Sequence, residues 1–157
     1  MPPRHAAGSS RVQAIPVGDQ DRTVVAAKLV SMGELLSLEA GEKRVKLDAM
    51  LLEGVSWQQD ASDLASFVDT PERVLEDPVT SYDGRSAETT EAFTVANEYT
   101  TVDVGRVEAD AGEALQVSSE KGVSVLGPQT LEALVTIDDT GALSRWFRTP
   151  VGPEQPL

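Results

Sequence analysis

The sequence predicts a mainly β protein, a single-domain β-sandwich or jelly roll of roughly eight strands with one or two short helices in the central crossover. Two observations lead there. A hairpin-like phrase occurs twice: residues 30–35 run into Ala40-Gly41-Glu42, and residues 102–107 run into Ala111-Gly112-Glu113. Short apolar segments elsewhere are bounded by turn residues every ~8–12 positions, a spacing typical of sandwiches.

The two phrases differ by one residue in the spacing from their first glycine to the Ala-Gly-Glu turn. Because a shift of one residue inverts the faces of a strand, one copy should carry a bulge or a different turn. The repeat therefore has two explanations. It reflects either two similar halves or two hairpins that reached the same turn chemistry independently.

The chain length of 157 residues suits one domain with its own core. We expect a flexible N-terminal arm over residues 1–12, the β-sandwich over 13–149, and an extended, proline-rich tail over 150–157. The arm is rich in Pro, Gly, Ser and Ala, and its charged side chains are Arg4 and Arg11.

The first β-rich block extends from about residue 12 to residue 57. Residues 23–30 are rich in β-branched side chains, and apolar residues alternate with polar ones over 36–38 and 45–47. Helix remains an alternative for residues 24–38, since Ala, Leu, Met and Glu favour helices. Gly33 and Gly41 would each weaken such a helix, so strand is the prediction.

The polar insert at residues 58–92 should connect the two β blocks and carry the short helices. Thr70 suits a helix N-cap, Pro71 the first helical position and Glu72 the first turn, and Pro78 should end that helix. Asp60 could begin another helical turn.

The second β block covers residues 93–147. Residues 122–126 suit a short strand, which Gly127-Pro128 should end. Apolar residues over 131–137 lead to Asp138-Asp139-Thr140-Gly141, a candidate hairpin turn.

The chain carries a formal net charge of −13 and has a pI of about 4.3. Such a charge repels nucleic acid and anionic lipid, so neither is expected as a partner. Nine arginines against four lysines (Lys28, Lys43, Lys46 and Lys121) and few isoleucines fit a salt-adapted organism, although an ordinary acidic bacterial protein is the alternative.

No catalytic or cofactor motif stands out, and we expect neither an enzyme nor any metal or cofactor. Cysteine is absent, which excludes disulfides and thiolate sites, and His5 is the single histidine. The adjacent or nearby carboxylates do not differ from a solvated acidic face; they are Asp138 with Asp139, Glu76 with Asp77, and Asp60 with Asp63.

The aromatic pair Trp146-Phe147 lies between two arginines. Since neighbouring side chains in a strand face opposite ways, one of the two rings should lie on the surface or against another chain. The candidate subunit-interface residues are Arg4, Arg11, Trp146 and Phe147. An exposed Trp57 or Trp146 would instead suit a carbohydrate-binding platform.

The hairpin phrase resembles those of single jelly-roll virion proteins. With the salt-adapted composition, the chain is similar to small coat, vertex or tail-associated proteins of haloarchaeal viruses, over about residues 24–57 and 93–147. This resemblance implies no enzyme activity, and it implies closed oligomers in which arms are exchanged between neighbours.

The leading hypothesis is therefore a non-enzymatic structural subunit of a larger homo-oligomeric assembly, a virion, whose partners are copies of itself and other structural proteins. The alternatives are a carbohydrate- or ligand-binding β-sandwich module and a small hydrolase with paired carboxylates. Neither a signal peptide nor a membrane span is evident, so we expect synthesis in the cytoplasm followed by incorporation into a virion.

Overall fold

The computed structural model describes residues 10–18, 23–30, 33–57, 65, 68–81, 87–109 and 112–137, without the side chains of residues 10–12 and 109. It confirms a mainly β protein. The described strands form two antiparallel sheets of four strands each, and short helices follow or join them.

The first sheet is a meander in which each strand pairs with the next one in sequence. Its strands are β1 (Ser10–Gly18), β2 (Thr23–Val30), β3 (Glu34–Ala40) and β4 (Lys43–Asp48). Helix α1 (Ala49–Ser56) follows at once, because the Asp48 side chain accepts a hydrogen bond of 2.8 Å from the backbone N–H of Leu51 and caps the first turn.

The second sheet has the same order and also ends in a helix. A short helix α2 precedes it, with Pro71 in its first turn and Thr70 at its N-cap, as the sequence predicts. The elements are α2 (Pro71–Leu75), β5 (Glu91–Ala96), β6 (Thr101–Ala109), β7 (Gly112–Ser119), β8 (Gly122–Leu126) and α3 (Pro128–Leu134).

The two halves are structural copies of one another. Ile15 on β1 and Phe93 on β5 occupy equivalent positions in the two sheets. Ile15 pairs with Ala26 on β2, Phe93 pairs with Val104 on β6, and Ala26 and Val104 are themselves equivalent. Residues 13–18 and 91–96 also share one pattern of burial, with two inward apolar side chains each. The halves thus bury the same strand positions, with the same side chain at some of them, such as Leu36 and Leu115, and a different one at others, such as Ile15 and Phe93.

The helices are exchanged between the halves. Helix α1 follows the first sheet and contacts β3 and β4 of that sheet, but it also contacts β6, β7 and β8 of the second. Helix α3 follows the second sheet and contacts β2 and β3 of the first. Leu52 on α1 and Leu131 on α3 are almost completely buried, in one core to which both sheets contribute. Neither half therefore has a complete core of its own.

Several sequence expectations need correction. Residues 50–56 and 128–134 were expected within β blocks but are helical, because Asp48 caps α1 and Pro128 suits the first position of α3. The helix alternative for residues 24–38 is wrong, since these residues lie mainly in β2 and β3.

The two Ala-Gly-Glu phrases are not the structural repeat. The first joins β3 to β4, with Gly41 at a φ of +63°, whereas the second lies where β6 leads into β7. The one-residue offset between the phrases follows from these different positions. The jelly-roll order is not confirmed, because neighbours in each sheet are consecutive in sequence.

Strand β1 begins at Ser10, within the predicted arm of residues 1–12. The rest of that arm, the turn at residues 138–141 and the tail at 150–157 lie outside the described residues. Within the described part of the chain, no helix is long and apolar enough to cross a membrane.

Candidate interaction site at an open sheet edge

Two of the four outermost strands, β1 and β5, are each bonded over part of their outer edge by side chains of the opposite sheet. The backbone N–H of Gly18 donates to Glu113 Oε1 at 3.0 Å, and Arg106 Nη1 donates to the carbonyl of Pro16 at 2.9 Å. On β5, the N–H of Ala96 donates to Glu34 Oε1 at 2.9 Å. These contacts occupy backbone groups that an added strand would need.

The outer edge of β8 is closed by a segment of the chain itself. Ser81 forms an isolated antiparallel bridge with Val125, with N–H to carbonyl distances of 2.8 and 2.9 Å. Residues 87–89 then pass over the outer face of the same sheet, where the Gln116 side chain accepts from the N–H of Ala87 at 2.6 Å and donates to its carbonyl.

The outer edge of β4 has no such cover among the described residues. Lys46 pairs with Ser37 on β3, and Val125 pairs with Gln116 on β7. These two pairs are equivalent, so Lys46 corresponds to Val125, the residue that Ser81 bridges in the other half. Its N–H and carbonyl therefore point away from β3, as do those of Arg44. The described backbone contains no partner for either residue at this edge.

The open edge is also basic. Lys43, Arg44 and Lys46 are all exposed on β4. Arg44 approaches Glu39 only loosely, at 3.9 Å and with 54% of its side chain exposed. Three cations within four residues stand out in a chain with 13 basic and 26 acidic residues.

A cleft of about 200 Å³ adjoins the start of β4. Lys43 and Arg73 from α2 both line it, and Arg73 Nη1 lies 2.6 Å from Glu132 Oε1 on α3. The Thr70 hydroxyl oxygen is buried in the cleft wall and has no hydrogen-bond partner among the described residues. Buried hydroxyls are normally paired, so this oxygen lacks a hydrogen bond that a ligand could supply only after the Thr70 side chain turns toward the cleft.

A second concavity continues from this cleft along β4. It has a volume of about 380 Å³ and shares Lys43 with the first. Arg44, Asp69 and Ile137 also line it, and Thr136 joins its walls because the Asp69 N–H donates to the Thr136 hydroxyl at 3.1 Å. The basic edge therefore has a groove beside it rather than a flat surface.

A larger groove, of about 560 Å³, lies on the second sheet beneath residues 87–89. Its charged lining residues are Glu88 and Asp103, and its aromatic residue is Phe93, which is only 8% exposed and belongs to the core. A sugar-binding platform needs an exposed ring, which this groove does not offer among its described residues.

The residues predicted as an interface are not brought together. Arg4, Trp146 and Phe147 lie outside the described residues, and Arg11 lies in β1 without a described side chain. Trp57 ends α1, where the amine of Lys121 lies 5.2 Å from its ring centre. Its indole Nε1 is buried without a partner in the described part, so the ring is not an open platform.

Among the predicted carboxylate pairs, Glu76 and Asp77 are described. Asp77 is buried, and its Oδ2 accepts from both the N–H and the hydroxyl of Thr130 at 2.8 Å. Its Oδ1 accepts from the N–H of Val79 at 2.9 Å. Asp77 therefore caps α3 and fixes the segment after α2, which is a structural role. The described residues contain no group of three potential metal ligands.

Sequence reasoning missed the basic strand. Its signal was the segment Lys43-Arg44-Val45-Lys46, which carries three of the 13 basic residues. Arg73 could not be assigned to the same site, because only the packing of α2 beside α3 brings it near Lys43.

Comparison with known proteins adds no family assignment. No family profile matches this sequence, and no curated protein matches it.

Proposed function

We propose that this chain is a non-enzymatic structural subunit of a larger homo-oligomeric assembly, which joins its neighbours by strand addition at β4. The single observation that carries the proposal is the contrast among the sheet edges: β1, β5 and β8 have bonded partners, whereas β4 has none among the described residues. An open edge strand is a ready site for pairing with another chain.

The contact is heterologous. Two β4 strands placed side by side would bring Lys43, Arg44 and Lys46 of both copies together, and like charges across a strand pair are destabilising. The edge of one copy therefore meets a different, acidic surface of the next, and such contacts build rings or open chains of subunits. We further propose a sandwich-like packing of the two sheets and, from the jelly-roll resemblance, a virus particle as the assembly.

Light scattering behind size exclusion tests this function, at low and at molar salt. The full chain should form oligomers at both salt concentrations. Salt screens the repulsion between copies of charge −13 as well as the attraction between the basic edge and an acidic surface, and the backbone hydrogen bonds of strand addition remain. Removal of residues 1–9, which leaves β1 intact, tests the contribution of the predicted arm.

The decisive variant is Lys46→Pro, which removes one outward N–H at an edge where proline is tolerated. It should be monomeric and folded. Val45→Pro is the matched control, because the N–H of Val45 faces β3 and its loss should unfold the protein. A folded full chain that stays monomeric at every salt concentration contradicts the proposed function.

A further inference from the structure

We infer that the open edge of β4 binds an extended acidic segment of a neighbouring polypeptide in antiparallel orientation, and that a carboxylate side chain of this segment enters the cleft between Lys43 and Arg73. The inference rests on the proposed function, since it names the chemistry of the surface that β4 meets.

The second half of the molecule supplies the template for the backbone contact. Ser81 pairs with Val125 through two hydrogen bonds in an antiparallel bridge, at the position that corresponds to Lys46. The same pair of bonds is geometrically possible at Lys46, because the two halves share strand order and register. An added segment should therefore reproduce the bridge of Ser81 and extend it toward Arg44.

Charge on both faces of β4 specifies the occupant as acidic. Side chains alternate along a strand, so Arg44 and Lys46 share one face whereas Lys43 lies on the face of the cleft. A bound segment has the same alternation and meets cations on both of its faces. Nearby carboxylates such as Glu39 and Asp69 would repel a polyanion of uniform charge, such as nucleic acid. A polypeptide is favoured because it also gains backbone hydrogen bonds from β4.

The cleft provides three groups for one carboxylate. Lys43 is exposed and has no ion-pair partner among the described residues. Arg73 commits Nη1 to Glu132 and carries further N–H donors on its guanidinium. The Thr70 hydroxyl has an unused donor at the wall. A carboxylate offers about four lone-pair sites to such donors, whereas a side-chain amide oxygen offers two and a basic side chain none.

Peptide binding to the full chain tests the inference. The probe is a fluorescent peptide of about six residues in which pairs of adjacent glutamates are separated by valine or threonine, so that both faces of the bound strand carry carboxylates. Both ends are blocked so that no terminal carboxylate contributes. Fluorescence anisotropy should show saturable binding. A peptide with lysine in place of glutamate should not bind, and a peptide with an N-methylated backbone should bind at least about tenfold more weakly, since it cannot form the bridge.

Three variants separate the parts of the site. Reversal of Lys43, Arg44 and Lys46 together to glutamate should weaken binding by about tenfold or more. Lys121→Glu, a single charge reversal between β7 and β8, should have little effect. Thr70→Val removes the unpartnered hydroxyl and keeps the shape of the side chain. It should weaken binding about two- to tenfold without lowering the unfolding midpoint.

The inference is overturned if the acidic and basic peptides bind alike, if the triple reversal leaves binding unchanged, or if Thr70→Val leaves the affinity intact. Absence of peptide binding together with oligomers that Lys46→Pro abolishes refutes the acidic occupant and retains the proposed function. Peptide binding by a chain that is always monomeric retains the acidic occupant and refutes the homo-oligomeric assembly, because β4 then receives an acidic segment of a different protein.

Discussion

Glu34 and Glu113 make the same contact on opposite sides of the molecule. Glu34 on β3 accepts the backbone N–H of Ala96 at the end of β5, at 2.9 Å, and Glu113 on β7 accepts that of Gly18 at the end of β1, at 3.0 Å. Each carboxylate thus joins its own sheet to the edge strand of the other. The duplication therefore extends from the strand order to the bonds between the halves.

We expect Glu34→Ala and Glu113→Ala each to lower the free energy of unfolding by about 1–3 kcal/mol, because each leaves a backbone N–H without its acceptor. The two losses should add, since the carboxylates share no hydrogen-bond partner. Urea unfolding measures them. Glu→Gln at either site retains an acceptor and should cost less, and equal losses for Gln and Ala would contradict the role of the hydrogen bond.

Asp77 should matter for stability although it lies far from α3 in sequence. Asp77→Ala removes the acceptor of three hydrogen bonds, two of them from Thr130 in the first turn of the helix. We expect a loss of about 2–4 kcal/mol in the free energy of unfolding. The neighbouring Glu76→Ala is the control, since Glu76 is exposed. An Asp77→Ala variant as stable as the control refutes this capping role.

The exchanged helices predict that neither half folds alone. A polypeptide of residues 1–69 contains α1 but lacks β6, β7 and β8, which α1 contacts in addition to β3 and β4. Residues 70–157 contain α3 but lack β2 and β3, which α3 contacts. Each fragment should lack cooperative unfolding by circular dichroism, and an equimolar mixture should regain it. A cooperative transition in either fragment by itself would show that the exchanged contacts are dispensable.

Shortening one buried side chain near the centre of each helix gives an independent measure of how much the shared core stabilises the fold. Leu52→Ala and Leu131→Ala each remove a side chain that is at most 1% exposed, at corresponding places in α1 and α3. We expect each to cost about 2–5 kcal/mol in thermal or urea unfolding. The exposed Leu75→Ala serves as the control, with an expected effect within about 0.5 kcal/mol.

The strands were largely predictable because alternation of apolar and polar side chains is a local signal. Residues 36–38 and 45–47 show it clearly, and both segments lie in strands. The helices α1 and α3 were missed because buried helices contain runs such as Leu51-Leu52 that resemble buried strands. A single residue distinguishes each helix from a strand: Asp48 at the N-cap of α1 and Pro128 at the first position of α3.

The duplication could be detected only in part. The tripeptide Ala-Gly-Glu recurs at positions that are not equivalent. Equivalent buried positions are single apolar residues scattered along the strands, identical at some pairs such as Val17 and Val95 and different at others such as Ile15 and Phe93. Selection for a core fixes inward placement more strongly than residue type. The open edge of β4 could not be predicted locally, because it depends on Ser81 covering β8 and on the described chain leaving β4 without an equivalent cover.

Residue-resolved amide hydrogen exchange on β4 and β8 tests the central claim most directly. In dilute monomer, the amides of Arg44 and Lys46 should exchange rapidly, whereas that of Val125, bonded to Ser81, should be protected. On assembly or on binding of the acidic peptide, Arg44 and Lys46 should become protected, with Val125 unchanged. Protection of Arg44 and Lys46 already in the dilute monomer, or its absence in the assembled state, would contradict strand addition at β4.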